Sequence, residues 1–224
     1  MKTATRKGCS GKRYRLLAID VDGVLTEVDS IWRFMHERLG TSRAARVNML
    51  LFKEGRISYE EWARLDAMLW RGTSLGELRR IVEEVKIRRG ARELVALARR
   101  EGVRVLAVSA GLDVIACKVA RELGVDEVVT NELVVREGLV TGEVIVRVTY
   151  HNKGEILVRA CDRLGVSPEE AIAVGDSEVD ASMMRLAGLS IAYRPSSLLI
   201  ARYAHIVLLS ETLTPLVELL KRFI

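Results

Sequence analysis

The sequence predicts an α/β protein: a parallel sheet covered by helices on both faces, with a small all-α unit inserted after the first strand. Three observations carry this expectation. Leu16-Leu17-Ala18-Ile19 is an unbroken apolar run ending in acids, the pattern of a strand buried on both faces. From about residue 29 to about residue 88 the hydrophobic period is helical throughout. From Ala91 onward short apolar runs alternate with amphipathic segments, as successive βα units do. The expected organisation is a basic tail at 1–13, a core domain made of 14–28 and 89–224, and a helical domain at 29–88.

The first strand stops at Asp20-Val21-Asp22-Gly23. Side chains two apart leave a strand on one side, so Asp20 and Asp22 can reach one small site. Open α/β sheets bind their ligands there, outside the carboxyl ends of the strands. Two acids beside a dry strand raise each other's pKa, a conflict that a divalent cation removes. Capping of local amides is the plainer role for Asp at such a turn.

Asp29 or Ser30 can cap a first helix to about Arg38, closed by Gly40. A second helix spans about 42–54 and is closed by Gly55. Ser58 opens a third, with Trp62, Leu65, Met68 and Leu69 on one face. Ser74 and Glu77 have capping-box spacing for a fourth, whose stripe is Leu75, Leu78, Val82 and Val85. Four short amphipathic helices make a small bundle. Trp32, Trp62, Trp70, Met35, Met49 and Met68 are expected as its core.

A helix over 91–101 ends at Gly102, and a strand over 103–108 leads into Ser109-Ala110-Gly111 and a helix over 112–123. A short strand at 127–129 precedes a hairpin at 133–148, with turns at Glu137-Gly138 and Thr141-Gly142. Then come a helix at 153–164, a strand at 171–174, the acidic turn Gly175–Asp180 and a helix at 179–187. A strand at 189–193, helix at 196–203, strand at 205–209 and helix at 215–223 close the chain, with Thr214-Pro215 as cap and first turn.

Composition narrows the function classes. At 224 residues and 49% apolar the chain can bury a sizeable core. The net charge of +5 is local: six basic residues and no acid lie in residues 1–15, and without them the chain stands at −1. That distribution argues against a nucleic-acid partner. Cys9, Cys117 and Cys161 are too few and too scattered for a disulfide framework, which fits the cytoplasm. No apolar run reaches the roughly 18 residues of a membrane span, and the N-terminus has no signal-peptide core. The absence of glutamine, with 27 Arg against 8 Lys, hints at a thermophilic source or a biased genome. His36, His151 and His205 lie in three segments without paired spacing, so no zinc site or Ser-His-Asp hydrolase is indicated. No dinucleotide or P-loop glycine pattern follows any strand.

Polar groups gather at four element ends. The first holds Asp20 and Asp22. The second holds Ser109 and the amides of Ala110 and Gly111, placed at a helix start where anions bind. The third is Lys153, a compact cation suited to a phosphoryl oxygen. The fourth holds Asp176 and Asp180. Singly, each has a plain explanation as cap, solvated cation or turn former. Together they supply carboxylates for an octahedral Mg²⁺, a carboxylate nucleophile, phosphate donors and a fixed positive charge.

In this order, Asp20-Val21-Asp22-Gly23-Val24-Leu25-Thr26, Ser109-Ala110-Gly111, Lys153, and Gly175-Asp176 with Asp180 resemble the four motifs of the haloacid dehalogenase superfamily of phosphohydrolases. The helical insert is similar to its C1-type cap. The hairpin, Asn152-Lys153-Gly154 and Ser182-Met183 are most similar to the phosphoserine phosphatase branch, and the resemblance covers about residues 14–220. It implies a Rossmann-like core and a Mg²⁺-dependent phosphomonoesterase that hydrolyses a small-molecule phosphate ester through an aspartyl-phosphate. Asp20 would be the nucleophile, and Asp22 the acid that protonates the leaving alcohol and then activates water. Asp20, the Asp22 carbonyl and Asp176 would hold the metal, with Asp180 ordering its outer shell. Ser109, the Ala110 and Gly111 amides and Lys153 would hold the phosphoryl group.

The departures from the family pattern concern the substrate. Ala110 stands where these relatives have Gly, and Val179 where they have Asn. Their acidic cap residue aligns with Asp29, and the cap arginine that clamps a substrate carboxylate aligns with Asp66. Asp29, shorter than that acid by a methylene, and Asp66, which inverts the charge of that arginine, thus enter the expected substrate-binding set, and Arg56, Arg64 and Arg71 are the cap guanidiniums able to take over. A phosphotransferase or mutase would use the same residues, while a non-catalytic module predicts erosion of acids that are all present.

Overall fold

Seven strands form one sheet: β1 (Leu16–Ile19), β2 (Arg104–Leu112), β3 (Glu127–Arg136), β4 (Leu139–Ile145), β5 (Ala171–Gly175), β6 (Leu189–Tyr193) and β7 (Ile206–Leu208). The computed structural model describes residues 14–224, so the expected basic tail at 1–13 lies outside the described residues. The strand order is β4-β3-β2-β1-β5-β6-β7, and all pairings are parallel except β3 with β4. β1 is flanked on both edges, and its four residues are all buried. Leu17 and Ile19 join the core on one face, Leu16 and Ala18 that on the other. The apolar run at 16–19 is unbroken because neither face meets water.

The chain builds outward from β1 through β2, β3 and β4, then returns to the opposite edge of β1 at β5. That reversal creates a crevice at the carboxyl ends of β1, β2 and β5. Helices α5 (Ala91–Arg100), α6 (Asp113–Leu123), α7 (Lys153–Leu164), α8 (Ala181–Leu186), α9 (Leu198–Ala201) and α10 (Thr214–Leu220) belong to this α/β core; the four before them form the insert. Among the described residues, no helix is long and apolar enough to cross a membrane.

The hairpin differs from its expectation. The strand expected at 127–129 runs on as β3 to Arg136, and Thr141-Gly142 lies inside β4, not at a second turn. Polar Thr130 and Asn131, which lie between the expected strand and hairpin, are both buried. The Asn131 side chain makes this tolerable: its Oδ1 accepts the Arg147 and Val148 amides at 2.8 and 2.9 Å. Glu137 and Gly138, at φ 51° and 77°, form the tight turn, since a two-residue hairpin that matches the strand twist needs both residues left-handed.

Between β1 and β2 lie α1 (Ile31–Arg38), α2 (Ser42–Lys53), α3 (Tyr59–Met68) and α4 (Leu75–Glu83). Ser30, Ser58 and Ser74 each cap the following helix by accepting an amide three residues on, and the reciprocal box is complete at Ser58 and Glu61. Met35 and Trp70 fill the bundle, but Met49 and Met68 are 36% and 42% exposed, a correction to the expected core. The insert is stitched to the hairpin by backbone bonds: Gly72 N–H to the Val140 carbonyl, Val140 N–H to Thr73, and Leu75 N–H to Gly138.

Arg88, 3% exposed, closes the insert onto the turn after β1. Its guanidinium donates to the carbonyls of Val24, Gly23 and Thr26 at 3.0 Å each, and to Glu211 at 3.2 Å. One planar cation with five donors thus satisfies carbonyls that this turn leaves unpaired. Arg88→Met should destabilise the fold by about 3 kcal/mol, because buried carbonyls lose a charged donor. Urea unfolding checks this; a midpoint that does not move would show that water replaces the guanidinium at no cost.

Candidate active site

Asp20 is the first residue beyond β1, and its Oδ1 accepts the Val21 amide and the Lys153 ammonium, both at 2.8 Å. Its Oδ2 remains for a ligand or a reaction. A single wide turn follows, closed by Thr26 N–H on the Val21 carbonyl at 3.0 Å. Within it Gly23 has φ 77°, and a Cβ there would lie 2.3 Å from Asp176 Oδ2. Only glycine permits both the left-handed backbone and the approach of that carboxylate. Asp22 Oδ2 accepts the Ile31 amide at 2.8 Å, while its Oδ1 is enclosed without a protein partner.

Lys153 opens α7 and is 1% exposed. Its ammonium also donates to Asp180 Oδ1 at 2.7 Å. Asp180 Oδ2 accepts the Asp176 and Ser177 amides at 3.0 and 3.1 Å, so both its oxygens are engaged within the protein. Gly175 makes room for this: a Cβ there would lie 2.3 Å from the Asp180 Cβ. Ser109, Ala110 and Gly111 end β2 rather than open a helix, because the strand continues to Leu112. The Gly111 amide donates to Ser109 Oγ at 2.9 Å.

The electrostatics are those of a site short of positive charge. Burial first, then the Asp180 charge, hold the Asp20 carboxyl well above its usual range, with Lys153 opposing. Burial followed by Asp180 pushes Asp176 up to about 7. Burial pushes Asp22 up to about 6 against the Ile31 amide. Burial alone would lower Lys153, but Asp180 and Asp20 outweigh it and the net shift is upward. One ammonium faces four carboxylates. Oxygens of Asp20, Asp176 and Asp180 lie within 4.8 Å of one another, a hard, anionic donor set that fits a divalent cation of the Mg²⁺ type.

Asp20, Asp22, Ser109, Ala110, Gly111, Lys153 and Asp176 all line one pocket of about 500 Å³. Asp29 and Val179 also line it; Asp29 is largely exposed and pairs with Arg33 at 3.1 Å. Asp66 does not, which corrects its expected place beside a substrate. It lies two turns along α3 from Tyr59, about 10 Å of rise. There its oxygens meet Asn48 Nδ2 at 2.8 Å and His36 Nε2 at 3.3 Å inside the bundle. None of Arg56, Arg64 or Arg71 lines the pocket. Its outer wall is aromatic instead: Trp32, Phe52, Tyr59 and Trp62 from the insert, and Tyr150 from the core. Phe52 and Trp62 stack at 4.8 Å, with Tyr59 and Tyr150 packed against them. Sequence reading took the tryptophans as bundle core and missed Phe52, Tyr59 and Tyr150. The available signal was Tyr150 three residues before Lys153, and Tyr59 beside the Ser58 cap.

Comparison with known proteins agrees with this geometry. Residues 17–185 match the haloacid dehalogenase-like hydrolase family. A phosphoserine phosphatase of Albidiferax ferrireducens is 31% identical over 92% of this chain and 89% of its own. One from Methanocaldococcus jannaschii is 30% identical over 81% and 86%. A substrate-bound phosphoserine phosphatase superposes with a TM-score of 0.81 at 26% identity, covering 93% of this chain and 99% of that one. A phospho-aspartyl intermediate analogue of phosphoserine phosphatase gives 0.79 at 26% identity, over 92% and 98%. The chain belongs to the haloacid dehalogenase-like hydrolase family. Within it, the chain is an enzyme of the phosphatase kind, similar to phosphoserine phosphatases along most of its length.

Lys153→Met tests the charge cluster. Removing one partner of a buried pair leaves uncompensated charge, so the variant should lose about 3–5 kcal/mol in metal-free buffer. Adding millimolar Mg²⁺ should restore part of that loss. Denaturant unfolding with EDTA and with Mg²⁺ reads both; equal stability of variant and parent in EDTA would show that the pair contributes nothing net.

Proposed function

We propose that this chain is a Mg²⁺-dependent phosphomonoesterase that hydrolyses a small-molecule phosphate ester through an aspartyl-phosphate on Asp20. The observation that carries this reading is the division of the Asp20 carboxylate. One oxygen is held by Val21 N–H and Lys153, and the other is left in a pocket shared with Asp22 and Asp176. Asp20 Oδ2 attacks phosphorus as the bond from phosphorus to the ester oxygen breaks, and the Asp22 carboxyl gives its proton to the departing alkoxide. Asp22, now a carboxylate, takes a proton from water as that water attacks the aspartyl-phosphate. Inorganic phosphate leaves and Asp20 is regenerated. Ser109 and Lys153 hold the phosphoryl oxygens throughout. Asp20, Asp176 and the Asp22 carbonyl would hold Mg²⁺, with Asp180 ordering its outer shell, and the ion would supply positive charge to the phosphoryl oxygens and the acids.

The insert at 29–88 is the cap of this site, and its aromatic wall meets the leaving group. With no arginine among the described residues lining the pocket, an esterified alcohol bearing a carboxylate has, among those residues, Lys53 as its only cap cation. A neutral or amine-bearing alcohol suits this wall better, with Asp29 and Glu178 at hand for an amine. The free thiols of Cys117 and Cys161 fit work in the cytoplasm.

Phosphate release from a panel of monoesters should require Mg²⁺, stop with EDTA and resume on readdition. No release from any ester would remove the reading. Asp20→Asn should be inactive yet folded by circular dichroism, because an amide does not attack phosphorus. Asp22→Asn should lose about 10²–10⁴-fold on alkyl phosphates and far less on phenyl phosphate, whose leaving group needs little protonation. Equal losses on both would leave Asp22 a structural role only. For the pocket, kcat/KM should be higher for phosphoethanolamine than for phosphoserine, which differ by one carboxylate; the reverse order would mean that a cap cation clamps that group.

A further inference from the structure

The carbonyl of Ala110, in the middle of the Ser109-Ala110-Gly111 segment, accepts three hydrogen bonds. Trp32 Nε1 donates to it at 3.0 Å, Tyr59 Oη at 3.1 Å and Asn131 Nδ2 at 3.0 Å. Trp32 lies on α1 and Tyr59 opens α3, so two of the three donors come from the helical insert; Asn131 comes from β3. Asn131 Nδ2 also reaches Tyr59 Oη at 3.3 Å, which ties the donors together. All three residues are buried. Burial raises the Tyr59 phenol above its ordinary value, so it remains a donor at any physiological pH.

A peptide unit is planar and trans, so the carbonyl of Ala110 and the N–H of Gly111 point in opposite directions. Fixing the oxygen fixes the amide. That amide donates to Ser109 Oγ at 2.9 Å. Because Ser109 Oγ is the acceptor in this bond, its own proton is left to donate into the pocket that Ser109 lines. Donors on the carbonyl also polarise the N–H of the same peptide, and hydrogen bonds in a chain strengthen one another.

We propose that Trp32 and Tyr59 are positioning residues that act on the phosphoryl group through the Ala110–Gly111 peptide and Ser109, so that docking of the insert sets the phosphate-binding donor. This rests on the phosphatase reading, in which Ser109 holds the transferring phosphoryl group. The insert therefore does more than shape the leaving-group pocket. When Trp32 and Tyr59 reach Ala110, the Ser109 hydroxyl is aimed; when they withdraw, two of the three constraints on the peptide are lost. An open insert then binds phosphate poorly, and water gains access to a site that is not yet assembled for transfer.

A double-mutant cycle tests the coupling. Tyr59→Phe keeps the ring and removes only the phenolic donor. Its expected loss in kcat/KM is about 3- to 10-fold, the value of one hydrogen bond, and it should be equal for phenyl phosphate and phosphoethanolamine. In a Ser109→Ala background the same substitution should cost less than about 2-fold, since the group it acts through is gone. Trp32→Phe should follow the same pattern, and the double variant should exceed either single. Orthovanadate titrated calorimetrically in the presence of Mg²⁺ gives a readout without turnover. Its affinity should fall by a similar factor in Tyr59→Phe and stay level between Ser109→Ala and the Ser109→Ala, Tyr59→Phe variant. Equal losses in both backgrounds, an unchanged orthovanadate affinity, or a loss confined to one leaving group would overturn the positioning role and leave the phosphatase reading standing. A parent protein that neither binds orthovanadate nor releases phosphate would sink both.

Discussion

Lys153 placed between Asp20 and Asp180 is the contact on which the rest of the site depends. Its two bonds, 2.8 and 2.7 Å, join residues 133 and 27 positions away in the chain. They fasten the end of β1, the start of α7 and the turn after β5 to one nitrogen. An ammonium buried this deeply has lost its hydration, and it survives as a cation only because two carboxylates face it. The carboxylates depend on it in turn, since Asp20, Asp22, Asp176 and Asp180 would otherwise share one dry crevice without any counter-charge. Local backbone follows from that packing. Gly23 and Gly175 are glycines because the Asp176 and Asp180 carboxylates occupy the space of a side chain.

Topology explains why these groups meet at all. β1 sits at the point where strand order reverses, so the loops leaving β1, β2 and β5 diverge around one crevice. Arg88 then holds the turn after β1 from behind, at the place where the chain re-enters the core from the insert. The insert is thus fixed at its root by a buried guanidinium and along its flank by the β3–β4 hairpin. Its aromatic wall meets the core through Trp32 and Tyr59, which donate to the Ala110 carbonyl.

The parts legible in the sequence were those with a one-dimensional signature. A dry strand ending in Asp20 and Asp22 has few structural reasons to exist, and the alternation of apolar runs after Ala91 has one common architecture. Ser58 and Ser74 marked the starts of two insert helices to the residue, and Asp29 or Ser30 bracketed a third, which Ser30 caps. What stayed hidden was direction. Helical period says that α3 has a buried face, but not that Tyr59 and Trp62 bury theirs against a pocket while Asp66 buries its carboxylate against His36 and Asn48. Alignment to relatives placed Asp66 by position, and position does not carry the partners that decide where a charge points. The gap between the expected strand at 127–129 and hairpin at 133–148 has a related cause: polar Asn131 continues the strand because its side chain finds backbone partners at 147 and 148.

Division of labour between core and insert follows from the same physics. The core's charged groups tolerate almost no displacement, because each buried charge is held by a partner whose loss strands it. The pocket's outer wall is held differently: rings of Phe52 and Trp62 from the insert and Tyr150 from the core pack by area and shape and can be exchanged at modest cost. The clustered carboxylates also link fold to cation. A divalent ion that binds the native crevice and not the unfolded chain adds stability that grows with its concentration, about 2.7 kcal/mol at a hundred times its dissociation constant. Four acids gathered in one dry crevice thus make any cation that binds there a contributor to the stability of the fold.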